Sequence, residues 1–386
     1  MLNQTALTEF TGINFRSLAR IKEPVCLSIF LPDTRMRGDH EHRRTLLEGL
    51  VSQAEQLLRA RGFESAIAHD LLAPLQALNE DGFWQQTRES MAIFRTVDSL
   101  QLFSASLPLQ QRVVVGHRLF LKPLLRSLTR KRRYYVLAVS DNLVRLFQCR
   151  ETECVQLHSD DLPSGLKNTL KSRDFSPSLQ GHTSKSSNRK VLTHHGHAAL
   201  VEDTHENRVR YCRQIDSGVH RLIGHSDEPL ILACVRELFA GYQQVNTYPR
   251  LLPEPIPGSP DRLTPESLHS AAQAILDSEL EKEIARARSS YIELENTEQS
   301  SANADAILTA ASDGRIQTVL MADEAEMWGV IDRSSGGLRL AIGTESPSRE
   351  ELLNVIAVES VANGGLVYSL PLDSMPHGKP VVALFR

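Results

Sequence analysis

The chain has 386 residues, 41% of them apolar and 23% charged, and a formal net charge of −4. Those proportions exclude a wholly disordered chain, and the acidic balance excludes a global attraction to nucleic acid, so any such binding must come from local basic patches. No apolar run reaches the eighteen or so residues of a membrane span, and the opening MLNQTALTEF lacks the charged-then-apolar pattern of a secretory signal; the expected location is the cytoplasm.

In chain order, Pro24 to Pro32 (PVCLSIFLP) is a β-rich apolar run bracketed by prolines and predicts a buried strand. A long amphipathic helix follows, with Leu46, Leu47, Leu50, Val51, Ala54, Leu57 and Leu58 on one face. A second helix near Ile67 to Leu78 leads to strands at Met91 to Thr96 and Arg112 to Phe120, with no phosphate-cradling glycine motif after the first strand. From Ser99 to Ser140 there is no carboxylate, while Arg112, Arg118, Lys122, Arg126, Arg130, Lys131, Arg132 and Arg133 accumulate. Such a run either attracts phosphate or is balanced by acidic residues elsewhere in the fold. A domain boundary is expected near Arg130.

The next runs, Arg133 to Ser140, Leu143 to Arg150 and Glu153 to Ser159, are joined by short turns and predict an antiparallel meander. Glu228 to Val235 is a continuous apolar run suited to a strand buried on both faces, and a short helix through Leu238 and Tyr242 follows. Between Tyr248 and Pro265 six prolines interrupt the chain, which predicts an extended linker over 249–262. Thr264, Pro265 and Glu266 supply a helix cap, a first-turn proline and an early negative charge, opening a helix of roughly thirty residues. Thereafter a helix around Ala304 to Ala311, strands TVLMAD and MWGVID, a helix from Ser348 to Ala362 stopped by Gly364 and Gly365, and strands LVYSLP and PVVALFR alternate as in an α/β sandwich. The expected organisation is residues 1–130, 131–248, a linker at 249–262, and 263–386.

Five cysteines, Cys26, Cys149, Cys154, Cys212 and Cys234, show no C-x-x-C spacing and several fall in apolar patterns. They are expected as buried free thiols rather than as a disulfide scaffold or a zinc site. No metal and no cofactor is expected.

The segment Gln180 to Arg213 differs from everything around it. Its first half is polar, has no carboxylate before Glu202, and carries Lys185, Arg189 and Lys190 with His182, His194, His195 and His197. Beyond Glu206, apolar Val209, Cys212, Ile215, Val219 and Leu222 mark one buried helix face. A basic, histidine-bearing loop therefore feeds directly into a packed helix. Lys185, Arg189 and Lys190, with Arg208, Arg210 and Arg213 at the exit and Arg130, Lys131 and Arg132 at the domain junction, are the candidate contacts to nucleic-acid phosphates. His195 and His197 with Glu202, Asp203 and His205 offer metal-ligand types, but the spacing matches no H-E-x-x-H helix, and no G-x-S-x-G elbow is present.

The closing words LLNVIAVESVANGGLVYSLP and MPHGKPVVALFR resemble the end of the archaeal and eukaryotic class I release factors and of Pelota: a helix stopped at a glycine pair, a V-Y strand, and a final apolar strand ending in Ala-x-x-Arg. Ile316 to Asp323 is similar to the strand before their variable segment. YYVLAVSDNLVRLFQ and the SIFLP-then-helix start look like the bacterial branch of that superfamily, the bacterial archaeo-eukaryotic release factor group. The resemblance spans nearly the whole chain in three-domain order. It implies an α/β protein of three domains: an N-terminal α/β domain, an RNase H-like middle domain, and a C-terminal three-layer α/β domain similar to kink-turn RNA-binding ribosomal proteins.

It also implies a ribosome- or tRNA-binding role through domains one and two, and a docking surface on domain three for a translational GTPase or another protein. In the release factors a Gly-Gly-Gln tripeptide sits on the loop of the middle domain and assists hydrolysis of the peptidyl-tRNA ester. This sequence contains no Gly-Gly-Gln; at that place stands His194-His195-Gly196-His197, with His195, Gly196 and His197 as the only candidate catalytic word. Pelota also lacks the tripeptide and rescues stalled ribosomes without hydrolysing the ester. The expectation is a release-factor-like, rescue-like translation protein. Two other readings stay open: a metal- or histidine-dependent hydrolase of RNA or a small ester, and a non-catalytic protein-binding adaptor.

Overall fold

The computed structural model describes residues 7–33, 40–79, 89–105, 107–129, 133–150, 153–166, 197–332, 339–340 and 349–386, with the backbone alone at 40, 79, 127, 129, 197–205 and 339–340. The chain divides into two compact units, Met1–Arg130 with Glu281–Arg386, and Lys131–Leu280.

The first unit contains a five-stranded sheet in the order Thr8–Glu9, Leu100–Ala105, Ser90–Arg95, Cys26–Leu31, Arg112–Gly116. Strand Cys26–Leu31 is buried throughout because successive side chains point to opposite faces and both faces are covered. Leu27, Ile29 and Leu31 pack with Leu47, Leu50, Ala54 and Leu58 of helix His40–Ala60 and with Leu71 and Leu75 of helix Ser65–Gln76. Cys26 and Phe30 face the other way, into a cluster with Phe94, Phe103, Leu121 and Leu124. The polar member of that strand, Ser28, accepts a hydrogen bond from the Phe120 amide, which satisfies its buried hydroxyl.

That second cluster also contains Ile307, Leu308, Val319, Leu352, Val355, Ile356 and Val381. The expected first and third domains therefore share one core. Helix Leu352–Ala362 is buried continuously from Leu352 to Ser360. Its Asn354 binds the first segment through three hydrogen bonds: Oδ1 accepts from the amides of Leu121 (2.7 Å) and Lys122 (3.0 Å), and Nδ2 donates to the Leu119 carbonyl (3.1 Å). The basic run is balanced in the same way. Arg112 pairs with Glu326, Arg118 with buried Glu359, and Arg126 with Asp323, while Lys122 donates to the Ala325 carbonyl. Of the two readings of the Ser99 to Ser140 run, Arg112, Arg118 and Arg126 follow the balanced one; Arg133 is exposed, and Arg130, Lys131 and Arg132 lie outside the described residues.

The C-terminal segment builds a four-stranded sheet in the order Ser300–Ser301, Val381–Phe385, Ile316–Ala322, Leu366–Leu370, with helices Ala304–Ser312 and Leu352–Ala362 contributing to the shared core. Gly364 takes φ +81 just past the helix, the left-handed stop expected of it. That helix begins at Leu352 rather than Ser348, because Glu350–Glu351 pairs with Trp328–Gly329 and the Glu351 carboxylate caps the amides of Leu353 and Asn354.

The second unit is a five-stranded sheet in the order Cys154–Leu157, Val144–Cys149, Tyr134–Val139, Leu230–Cys234, Ile256–Pro257. Numbered along the chain this is three-two-one-four-five, with the second strand antiparallel to both neighbours and the first, fourth and fifth parallel. That is the RNase H-like arrangement implied by the resemblance. Helices His197–Ile223 and Arg236–Val245 place Tyr211, Cys212, Ile215, Val219, Leu238, Phe239 and Tyr242 against Leu137, Leu146 and Leu232.

Three expectations are corrected. The 249–262 linker is part of this sheet: Leu252 donates to the Leu230 carbonyl and Ile256–Pro257 pairs with Ala233–Cys234. Prolines hold the backbone extended, an edge strand needs partners on one side only, and Leu252, Ile256 and Leu263 supply apolar groups to bury. The helix expected from Glu206 starts at His197. Cys149 and Cys154, expected as free thiols, are joined as a disulfide across the hairpin, while Cys26, Cys212 and Cys234 are free and buried.

Candidate functional site

Lys185, Arg189, Lys190, His195 and Gly196 lie outside the described residues, and of His197 only the backbone is described, as the first residue of its helix. The site is therefore built from the groups that hold the two roots of the excursion, Leu166 and helix His197–Ile223.

Both roots meet one turn. Ser140 to Leu143 links the first two strands of the second unit, with the Ser140 hydroxyl accepting from the amides of Asn142 (3.1 Å) and Leu143 (3.2 Å). The Leu166 amide donates to the Asp141 carbonyl at 2.9 Å, and Gly165 lies so close that a Cβ there would stand 2.7 Å from the Asn142 carbonyl oxygen. The Tyr211 hydroxyl, buried, donates to the Ser140 carbonyl at 2.7 Å. Asn142 donates in turn to Asp261 at 3.1 Å, and hydrogen bonds from Ser140 and Asn142 hold the Asp261 carboxyl below its ordinary range.

The helix is fixed from Tyr211 onward. Gly218 has no side chain because one would stand 2.5 Å from the Asp161 carbonyl oxygen. Asp216, buried, accepts from the Thr247 amide (3.0 Å), the Thr247 hydroxyl (2.7 Å) and the Tyr242 hydroxyl (3.4 Å). These are all ties between elements of the same unit. Ahead of Tyr211, residues Glu206 to Arg210 are exposed or half-buried. The helix continues fourteen residues back from Tyr211 to His197, which at 1.5 Å per residue is about 21 Å.

Of the basic residues at the exit, Arg210 and Arg213 are exposed and, three apart, share one side of the helix. Arg208 is turned about 160° from Arg210 at 100° per residue, is half-buried, and its Nε is enclosed without a hydrogen-bond partner among the described residues. The three expected contacts thus separate into an exposed pair and one cation facing elsewhere. Cys212, one turn beyond Arg208, is buried, and burial pushes its thiol up to about 11, with the Arg208 charge opposing, and that of Cys234 up to about 12.

One constellation escaped the sequence reading. Cys149, Cys154 and His269 bring one ligand atom each within 4.8 Å of one another, and the buried Tyr134 hydroxyl lies 2.6 Å from His269 Nδ1. The signal in the sequence was partial: the meander puts Cys149 and Cys154 on one hairpin, and the register that sets them opposite each other comes from the structure. In the first unit, a cavity of about 530 Å³ is lined by Arg112, Lys122 and Arg126 against Asp323, Glu324 and Glu326. Its balanced charge gives no preference for phosphate.

The second unit thus combines RNase H-like strand order with a long stretch of chain between its third strand and helix His197–Ile223. Residues 134–278 match the model of the Bacterial archaeo-eukaryotic release factor family 7, and so the resemblance seen in the sequence stands on the unit that carries the excursion. No curated protein matches the chain. Among solved structures it is similar to an archaeal translation termination factor, aRF1 (12% identity, 98% of this chain and 99% of that one, TM-score 0.24). It is likewise similar to Archaeoglobus fulgidus Pelota (11%, 98% and 93%, 0.30) and to archaeal Pelota described as ribosome-bound with ABCE1 (11%, 98% and 95%, 0.38). At such TM-scores these likenesses carry no information on activity or partners. No described helix is long and apolar enough to cross a membrane.

Proposed function

We propose that the protein docks on ribosomes or tRNA as a rescue-type factor and presents residues 167–196 to RNA, without hydrolysing the peptidyl-tRNA ester. The observation that carries this reading is the support of the excursion. Its exit helix is pinned from Tyr211 to Ser140 and extends about 21 Å before that pin, while Arg210 and Arg213 are exposed on one side of it. A helix with exposed cations at its base, continuing from a segment that carries Lys185, Arg189 and Lys190, suits presentation of that segment to phosphates. The family match over 134–278 supports the same reading. Hydrolysis is left out because the sequence holds no Gly-Gly-Gln. The segment 281–386, fixed to the first segment, would carry a docking surface for a second protein such as a translational GTPase.

Co-sedimentation with ribosomes at low salt, using the full chain and a form lacking residues 181–200, tests this. The full chain is expected in the ribosomal pellet and the deleted form largely outside it, with the Arg210→Glu, Arg213→Glu double variant reducing the salt slope by about 2 if both cations meet phosphate. Absence of the full chain from the pellet, together with no binding of tRNA, would end the proposal.

A further inference from the structure

Cys149 ends one strand and Cys154 opens the next; they face each other across the hairpin with Cα atoms 4.0 Å apart, and the structure joins their sulfurs. A third element approaches them. His269, in the first turns of helix Pro265–Glu293, places Nδ1 at 3.7 Å from Cys154 Sγ. Its ring lies parallel to that of Tyr134, 11° from coplanar and 6.0 Å between centroids, and the Tyr134 hydroxyl bonds to the same nitrogen. Cys149 and Tyr134 are fully buried.

We propose that, once this disulfide is reduced, Cys149, Cys154 and His269 form a binding site for a zinc ion. Tetrahedral zinc holds sulfur at about 2.3 Å and nitrogen at about 2.0 Å, which sets sulfur and nitrogen roughly 3.6 Å apart and two sulfurs roughly 3.8 Å apart. The Cys154 to His269 separation of 3.7 Å already meets the first of these. Only the sulfurs must part, by a distance that side-chain rotation supplies. A water would complete the tetrahedron as the fourth ligand.

The chemistry balances. A thiol or phosphine reductant delivers two electrons to the disulfide and is itself oxidised, two protons complete the thiols, and zinc then displaces both protons as the thiolates bind it. A reducing compartment favours the metal-bound form. Two soft sulfurs and an imidazole select zinc over calcium or magnesium, which take oxygen ligands. Tyr134 is a positioning residue through the stacking of its ring on the imidazole; its hydroxyl gives up Nδ1 when the metal binds there.

The test uses the full chain, reduced with a phosphine, and cobalt(II) as the spectroscopic stand-in for zinc. The reduced protein should take up one equivalent with a thiolate-to-cobalt charge-transfer band, which histidines elsewhere in the chain cannot produce, and zinc should bleach it. The oxidised protein should show no band, a comparison that needs no variant. Cys154→Ser should abolish the band, and His269→Ala should weaken cobalt affinity at least tenfold. A reduced, folded chain without the band overturns the site and leaves a disulfide only. A band untouched by His269→Ala overturns the assignment of the third ligand. Neither result bears on ribosome binding.

Discussion

Replacing Asn354 by alanine tests whether the first and last segments of the first unit are one structure. The side chain is buried and supplies the partners of three backbone groups, the amides of Leu121 and Lys122 and the carbonyl of Leu119. Alanine leaves all three without a partner where water does not reach. Each buried polar group so orphaned costs about 1–3 kcal/mol, so the loss should be at least about 3 kcal/mol. Asn363 provides an internal contrast: its amide also donates to a backbone carbonyl, that of Ala311, but from an exposed position where water can substitute. Asn363→Ala should cost less than about 1 kcal/mol. The assay is urea unfolding followed by tryptophan emission, Trp328 lying in the first unit. A loss below about 1 kcal/mol for Asn354→Ala, or equal losses for the two variants, would refute the argument.

Arg118 and Glu359 pair in the buried core, and Lys22 lies 3.6 Å from the same carboxylate. Arg118→Met alone should lower stability by about 3 kcal/mol by leaving a buried charge, while Arg118→Met with Glu359→Leu should recover most of it in the same urea experiment. Gly218→Ala would push a methyl to 2.5 Å from the Asp161 carbonyl oxygen, parting helix and turn at a cost of about 1–3 kcal/mol, read as earlier amide exchange in the second unit. In the native protein, Cys26 and Cys212 have thiols pushed up to about 11 and Cys234 up to about 12. Since the thiolate is the reactive form, the raised values leave about one thiol in a thousand ionised at pH 8 for Cys26 and Cys212, and about one in ten thousand for Cys234. Alkylation should therefore be slow, and should speed up as pH rises towards 11; prior reduction should add one faster-reacting sulfur, half-buried Cys154, with fully buried Cys149 following slowly, counted by mass spectrometry.

What the sequence revealed was local. The apolar run at Cys26 to Leu31, the meander from Tyr134 to Leu157, the cap at Thr264 and the left-handed Gly364 are each decided by neighbours within a few residues, and the structure has them. The basic run was not decidable in that way. Arg112, Arg118 and Arg126 find their acids at Glu326, Glu359 and Asp323, and nothing near them in the chain points there. Pro249 to Pro265 misled for the opposite reason: composition suggested a spacer, whereas the apolar residues between the prolines had an open sheet edge to fill. The candidate loop was located by its charge and histidines, and its roots by Ser140, Gly165 and Tyr211, which no local pattern singles out because their meaning lies in one shared turn. For its histidines, the described residues add only the start of their helix.

The shared core of the first unit has a consequence for how the chain is made. One face of the Cys26–Leu31 sheet closes early, on helices His40–Ala60 and Ser65–Gln76. The opposite face, with Phe30, Phe94, Phe103 and Leu121, is completed by Leu352, Val355 and Ile356, which leave the ribosome more than two hundred residues later, or roughly 10–45 s at ordinary rates of synthesis. During that interval the whole second unit can fold while a greasy half-sheet waits upstream. A nascent chain cut short in the second unit would carry that half-sheet permanently exposed, a ready signal for chaperones and proteases, so the order of segments makes completion of the message a condition for a quiet surface.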